Sequence, residues 1–196
     1  MRLPRPPRVQ VAGGIYHLVT RGVRKSPLYT DAHDRMTFLS LFDLTLARYE
    51  WELHTYCLMT NHFHLLVTTH QPTVSIGMQY LNSTYAQWFN WRHLFEGHAV
   101  ERRFYSELIT SDRHLFATAR YILLNPVRAG LCASAADWRW SSYRATVEDV
   151  ASKPCPSLWL VSQFGRNLDE ARRRFADFIQ AGEQEVRQRA TPKPPE

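Results

Sequence analysis

Asn61-His62-Phe63-His64-Leu65-Leu66-Val67 constrains this chain more than any other stretch. A short apolar run of this kind reads as a buried β-strand, and in a strand alternate side chains share a face. Phe63, Leu65 and Val67 therefore belong to a core, while His62 and His64 stand together on the opposite face. Two neutral imidazoles on one rigid face can hold adjacent positions on a metal ion. In a chain with nine histidines a lone His-x-His is more often structural or accidental, so its weight depends on reactive groups elsewhere.

A helix downstream supplies them. Ser111 is its expected N-cap, Asp112 favours the positive end of its dipole, and Asn125-Pro126 is its expected stop. Leu115, Ala119, Ile122 and Leu123 recur at helical spacing and form the buried stripe. At about 100° per residue, His114, Thr118, Tyr121 and Asn125 fall on a different face. Tyr121 and Asn125 are one turn apart, so a phenol and an amide can be aimed at one ligand.

The order of elements sets the architecture. Strands are expected at 14–23, 53–59, 61–69 and 102–110, with helices at 32–49 and 74–93 and the Tyr121 helix after the last strand. This β-α-β-β-α-β order predicts an α+β fold, a ferredoxin-like antiparallel sheet with its helices on one face. Beyond Gly130 a loop at 153–156 leads to a short helix at 157–164. A longer helix from Asn167 to about Gly182 follows, striped by Leu168, Ala171, Phe175, Phe178 and Ile179. The expected division is a flexible basic arm at 1–12, the main domain at 13–146, a C-terminal helical extension at 147–182 and a tail at 183–196, with disorder in the free chain expected for Arg2 to Arg8 and Thr191 to Glu196.

Charge points to a nucleic-acid partner. Lys and Arg number 24 against 18 Asp and Glu, a net charge of +6, which favours contact with phosphate. Much of the positive charge is arginine, which makes bidentate phosphate contacts and reads guanine edges. Arg5, Arg8, Arg21, Arg103, Arg120 and Arg128 are the DNA-binding candidates, whereas Arg172 to Arg174 read as a solvated helix face. Trp91, Trp138 and Trp140 are candidates for stacking on exposed bases. Cys57, Cys132 and Cys155 are odd in number and widely spaced, which argues against a disulfide framework or a zinc finger. The Arg/Pro-rich start and the lack of a long apolar span predict neither secretion nor membrane insertion, and hence a cytoplasmic protein.

Met59-Thr60-Asn61-His62-Phe63-His64-Leu65-Leu66, followed by Arg120-Tyr121-Ile122-Leu123-Leu124-Asn125-Pro126-Val127-Arg128-Ala129-Gly130, resembles the single-tyrosine HUH transposases, in particular their REP-associated tyrosine transposase branch. Tyr16-His17-Leu18-Val19-Thr20-Arg21-Gly22 and Trp140-Ser141-Ser142-Tyr143 add to the likeness. The resemblance implies an HUH nuclease fold with extra C-terminal helices. It implies that His62 and His64 bind a divalent metal, Mg2+ or Mn2+, that Tyr121 is the nucleophile, and that Asn125 completes the metal site where other members carry glutamine. It further implies single-stranded DNA hairpins, REP-like palindromes, as substrate. A 5′-phosphotyrosine would be the intermediate of cleavage and rejoining, and a monomer is favoured over a homodimer.

Tyr85, Tyr80 and Tyr105 compete for the nucleophile role, but a packing or base-stacking role is expected for each. Two other functions fit the same residues: a DNA-binding regulator that does not cut, and a metal-dependent phosphodiesterase that uses water. Retention of His62, His64, Tyr121 and Asn125 together favours catalysis through tyrosine.

Overall fold

The computed structural model describes residues 8, 10–101, 103–148 and 150–190. Strand β1 (Gly14–Arg21) lies in the middle of the sheet, paired antiparallel with β3 (His62–Thr69) on one side and with β4 (Tyr105–Leu108) on the other. Strand β2 (Trp51–Leu58) pairs antiparallel with the outer edge of β3, giving the order β2-β3-β1-β4. That is the ferredoxin-like arrangement expected from the element order.

Period-two alternation separates the two faces. Tyr16 and Leu18 of β1 and Phe63, Leu65 and Val67 of β3 are buried in one core with Phe38 and Phe42 of α1 (Ala32–Tyr49) and Met78, Leu81 and Tyr85 of α2 (Val74–His93). Helix α1 starts where the Asp31 carboxylate accepts from the Asp34 amide. Asp34 is itself fully buried, accepts from the Thr30 amide and hydroxyl, and pairs with Arg92 and His93, which ties the start of α1 to the end of α2. The phenol of Tyr85 donates to the Leu28 carbonyl, so this ring is core and not nucleophile.

The opposite face carries the histidines, and it is not open. Helix α3 (Asp112–Arg128) packs Leu115, Ala119, Ile122 and Leu123 toward Cys57 and Leu66 of the sheet. Helices α4 (Tyr143–Val147), α5 (Trp159–Ser162) and α6 (Leu168–Ala190) close the same core through Tyr143, Leu160, Val161, Ala171, Phe175 and Ile179. Helices therefore cover both faces where one was expected, and the C-terminal extension shares its core with the Tyr121 helix. The Trp140-Ser141-Ser142-Tyr143 motif is a structural clip on β2. The Leu58 amide donates to the Trp140 carbonyl, the Ser142 amide to the Tyr56 carbonyl, and the Tyr56 amide to Ser142 Oγ.

Three of the boundaries that differ from expectation bear on the site. Helix α3 does not stop at Asn125-Pro126 but continues to Arg128. A proline lacks only one donor, and so near the helix end the loss is small. The end is set instead by Gly130, at φ +67°, where the Leu131 amide reaches the Pro126 carbonyl and the Gly130 amide the Val127 carbonyl, the two bonds of a Schellman motif. Helix α6 passes Gly182 and reaches Ala190. Gly182 is a packing residue: a Cβ there would lie 2.6 Å from Leu124 Cδ1 and 2.9 Å from Arg120 Cδ, so the missing side chain lets α6 lie close on α3. Strand β4 is shorter than the expected 102–110, although pairing to β1 resumes beside it where the Glu101 amide donates to the Arg21 carbonyl and the Val23 amide to the Ala99 carbonyl. Arg5, the rest of 1–7 and the end of the tail at 191–196 lie outside the described residues. Among the described residues no helix is long and apolar enough to cross a membrane.

Candidate functional site

The register of the sheet assembles the site. Val19 of β1 lies opposite His64 and Arg21 opposite His62, while Tyr105 and Glu107 of β4 lie opposite Val19 and His17. Directly paired residues share a face, so His17, Arg21, His62, His64, Tyr105 and Glu107 all stand on the side that α3 covers. The helix leaves a cleft of about 670 Å³ along the β1–β4 edge, with His17, Arg21, His64, Arg103, Tyr105 and Tyr121 among its walls. Thr118 lines it too, so the helix face expected to bear Thr118 and Tyr121 is turned to the histidines.

Tyr121 is 40% exposed and presents its ring edge-on to His64, with centroids 5.6 Å apart, and to His17 at 6.1 Å. The Arg128 guanidinium carbon lies 5.0 Å from the centre of the same ring. His62 and His64 are 5.0 Å apart, centroid to centroid. Neither His62 nor Asn125 lines the cleft. Asn125 is nearly buried one turn after Tyr121, with its Nδ2 donating to the Tyr121 carbonyl at 2.9 Å, which leaves Oδ1 as its available acceptor.

Each histidine has one nitrogen occupied by a neighbour. Asn61 donates its amide to the Lys25 carbonyl at 3.1 Å, which fixes the side chain so that its Oδ1 accepts from His62 Nδ1 at 2.7 Å. His62 Nε2 then keeps its lone pair. His64 Nδ1 lies 2.9 Å from His17 Nε2, and His17 Nδ1 lies 3.9 Å from the Glu107 carboxylate. The negative charge favours a proton on His17 Nδ1, which makes His17 Nε2 the acceptor and His64 Nδ1 the donor. His64 Nε2 is left buried and without a partner among the described residues. Two free Nε2 lone pairs on neighbouring rings, each backed by a hydrogen bond on its other nitrogen, are what a divalent cation requires of its histidine ligands. Among the described residues no three His, Cys, Asp or Glu side chains form a ready-made cation site, so a third protein ligand has to be of another type, such as an amide.

Burial holds these rings neutral. His17 is pushed down to about 4 by burial, opposed by Glu107 and helped by His114. His62 is lowered to about 4 by burial and then by Arg21. His64 is lowered to about 2 by burial, with His17, His62 and Arg21 adding to it. His54, buried on β2, falls to about 4 for the same reason. Each group takes up a proton on unfolding at any pH between its folded value and about 6.5, so the unfolded chain binds more protons and stability rises with pH in that window. A series of thermal melts is expected to show Tm falling as pH drops from about 6.5 toward about 4.5. An unchanged Tm over that range would contradict the burial of these rings.

The other candidates separate. Arg21 and Arg103 line the cleft. Arg120 is turned away, 3.3 Å from Glu185 of α6 and stacked on Phe178. Arg8 lies with its guanidinium carbon 3.5 Å from the Phe104 ring centre and donates to Ser106 Oγ and the Phe104 carbonyl. Tyr105, expected to pack or stack, is in the cleft, but its hydroxyl donates to Glu107 at 3.0 Å. Burial and that carboxylate both raise its pKa, and so its phenol resists ionising. Of the three tryptophans, Trp91 is 76% exposed, whereas Trp138 donates to the Leu58 carbonyl and Trp140 packs on the α1–α2 core. The sequence reading missed His17 and Glu107 as site residues. The alternation of Tyr16 and Leu18 with His17 and Val19 placed His17 off the core, but only the pairing register could bring it to His64.

A family model described as "Transposase IS200 like" matches residues 10–124, more than half of the chain and all of the residues that line the cleft. The chain belongs to the IS200-like transposase family. It is thus a member of a family of DNA-cleaving enzymes. Among curated relatives, a protein from Haemophilus influenzae described as a "Putative REP-associated tyrosine transposase" is 27% identical over 133 residues, which span 62% of this chain and 74% of that one. Among solved structures, a REP-associated tyrosine transposase bound to a REP hairpin superposes with a TM-score of 0.64 at 17% identity, covering 76% of this chain and 92% of that one. This second likeness is one of fold.

Proposed function

We propose that this transposase cleaves and rejoins single-stranded DNA beside REP-like palindromic hairpins, with Tyr121 as nucleophile and His62, His64 and Asn125 as ligands of Mg2+ or Mn2+. The observation that carries the reading is the Tyr121 ring edge-on to His64, whose Nε2 has no partner among the described residues, in one cleft that Arg21 and Arg103 also line. The family match and the hairpin-bound relative of like fold support the substrate class.

An ordinary phenol, with a pKa of about 10, is a weak nucleophile at neutral pH and needs help. Arg128 lies over the face of the Tyr121 ring, a cation–π contact that holds the ring at the cleft. Arg21 and Arg103 in the cleft wall would hold the phosphates that flank the scissile bond. A divalent ion on the histidine pair would polarise a non-bridging oxygen of the scissile phosphate. In the reaction the Tyr121 oxygen bonds to phosphorus, the 3′-oxygen leaves and takes up a proton, and the strand remains on the enzyme as a 5′-phosphotyrosine. Attack of a second 3′-hydroxyl reverses the step and rejoins DNA. The phosphodiester energy is conserved throughout, so no ATP is needed. Tyr121 meets the histidines of its own chain, which supports a monomer acting in cis.

His17 serves as a positioning residue, holding the His64 ring and its tautomer. His17→Ala is expected to weaken Mn2+ binding by about 10- to 100-fold, measured by titration calorimetry, and His17→Gln, which retains a hydrogen-bonding side chain, should recover part of it. Equal affinity in wild type and His17→Ala would remove this role.

The test of the function uses labelled hairpin oligonucleotides, Mg2+ or Mn2+, and a denaturing gel. Label that migrates with the protein supports strand transfer. Cleaved DNA with no attached protein would instead favour hydrolysis by water, and binding with no cleavage a regulator that does not cut.

A further inference from the structure

Helix α2 carries a second stripe that the cleavage reaction does not use. Beside its buried face, Gln79, Asn82, Ser83, Gln87 and Asn90 follow one another at helical spacing and line a groove of about 560 Å³. The groove is closed at one end by Arg8 and Phe104, and Glu101 belongs both to its wall and to that of the Tyr121 cleft, so the two sites meet across the β1 edge. Among the described residues no lysine lines this groove, and Arg8 is engaged with Phe104 and Ser106. Along α2 its lining is one of neutral amides and a hydroxyl, suited to the edges of bases.

Two of these amides are incompletely bonded. Asn82, 9% exposed, donates its Nδ2 to Thr20 Oγ1 at 3.1 Å, and Asn90 donates its Nδ2 to the Gly97 carbonyl at 2.8 Å. The Oδ1 atoms of both are buried with no partner among the described residues. Buried carbonyl oxygens without donors are uncommon and call for one. We infer that this groove takes an unpaired nucleobase carrying an exocyclic amino group, on the same strand whose phosphate reaches Tyr121. The amino group of adenine, cytosine or guanine supplies the N–H donor that Asn82 Oδ1 lacks, and Gln79 and Gln87, on either side of Asn82 at the exposed mouth, read the rest of the base edge; Asn90 lies two turns, about 12 Å, further along the helix and is not reached by the same amino group. Thymine has no such group. This inference rests on the DNA-cleaving function proposed above.

The test uses Tyr121→Phe protein, expected to hold DNA without cutting it, and a fluorescent hairpin oligonucleotide with single-stranded extensions on both sides, read by anisotropy. Extension bases are replaced one at a time by an abasic site or by thymine. At one position both replacements should weaken binding by about tenfold, within the usual range for a lost base contact. In the Gln79→Ala/Gln87→Ala variant, whose changes lie at exposed positions, the intact oligonucleotide should already bind about that much more weakly, and the same replacements should do nothing further. Tight hairpin binding that is indifferent to every extension base, or an identical penalty in both proteins, overturns the groove assignment and leaves the cleavage function standing. Failure to bind any hairpin overturns both.

Discussion

Tyr121→Phe should lower strand cleavage by at least about ten-thousandfold, the scale seen when a covalent nucleophile is removed, while hairpin affinity stays within about twofold of wild type. The change deletes one oxygen from a ring that is partly exposed at the cleft and leaves the contacts of that ring with His64, His17 and Arg128 in place. Tyr105→Phe is the matched control, since Tyr105 lines the same cleft but gives its hydroxyl to Glu107 and is harder to ionise. That variant should retain cleavage. Quenched-flow or gel assays on both variants decide the matter, and a covalent adduct persisting in Tyr121→Phe would transfer the nucleophile role to another residue.

His64→Ala is expected to have the second-largest effect, through the cation. His64 Nε2 is the buried, unpartnered nitrogen of the site, and its removal takes away a lone pair for which the fold offers no substitute among the described residues. Mn2+ affinity should fall by more than about 100-fold, beyond the loss expected for a supporting residue, and cleavage should fall with it. The substitution also leaves His17 Nε2 without its 2.9 Å partner, at a cost of about 1–3 kcal/mol, so a thermal melt belongs beside the Mn2+ titration. Loss of cleavage in a folded variant that binds Mn2+ as tightly as wild type would place the cation elsewhere.

The parts of the fold that were legible in the sequence are those governed by local physics. The alternation of His62 and His64 with Phe63 and Leu65 gave β3 its two faces, and α1 and α2 run over the extents expected of them. The Ser111 cap likewise marked the start of α3, where its side chain accepts from the His114 amide. Helix ends were less legible because proline and glycine are ambiguous alone. Pro126 sits inside the last turn of α3, and Gly182 marks close helix packing where a helix end was expected.

Tyr121 and the histidine pair could be named from their motifs, but what surrounds them depends on pairing between distant strands. The meeting of His17 with His64 follows from the β1–β3 register, and the position of Glu107 from the β1–β4 register. Arginines proved the hardest to place from sequence, since a long side chain finds partners in three dimensions. Arg120, next to Tyr121 in the chain, pairs with Glu185 of α6, whereas Arg128, two helical turns on, lies over the Tyr121 ring.

The most direct test of the central claim is mass spectrometry of the protein after incubation with a hairpin oligonucleotide and Mn2+, followed by nuclease and protease digestion. The account predicts a nucleotide joined through its 5′-phosphate to the peptide that contains Tyr121. DNA cleaved while that peptide stays unmodified, or the nucleotide found on Tyr105 instead, would contradict it.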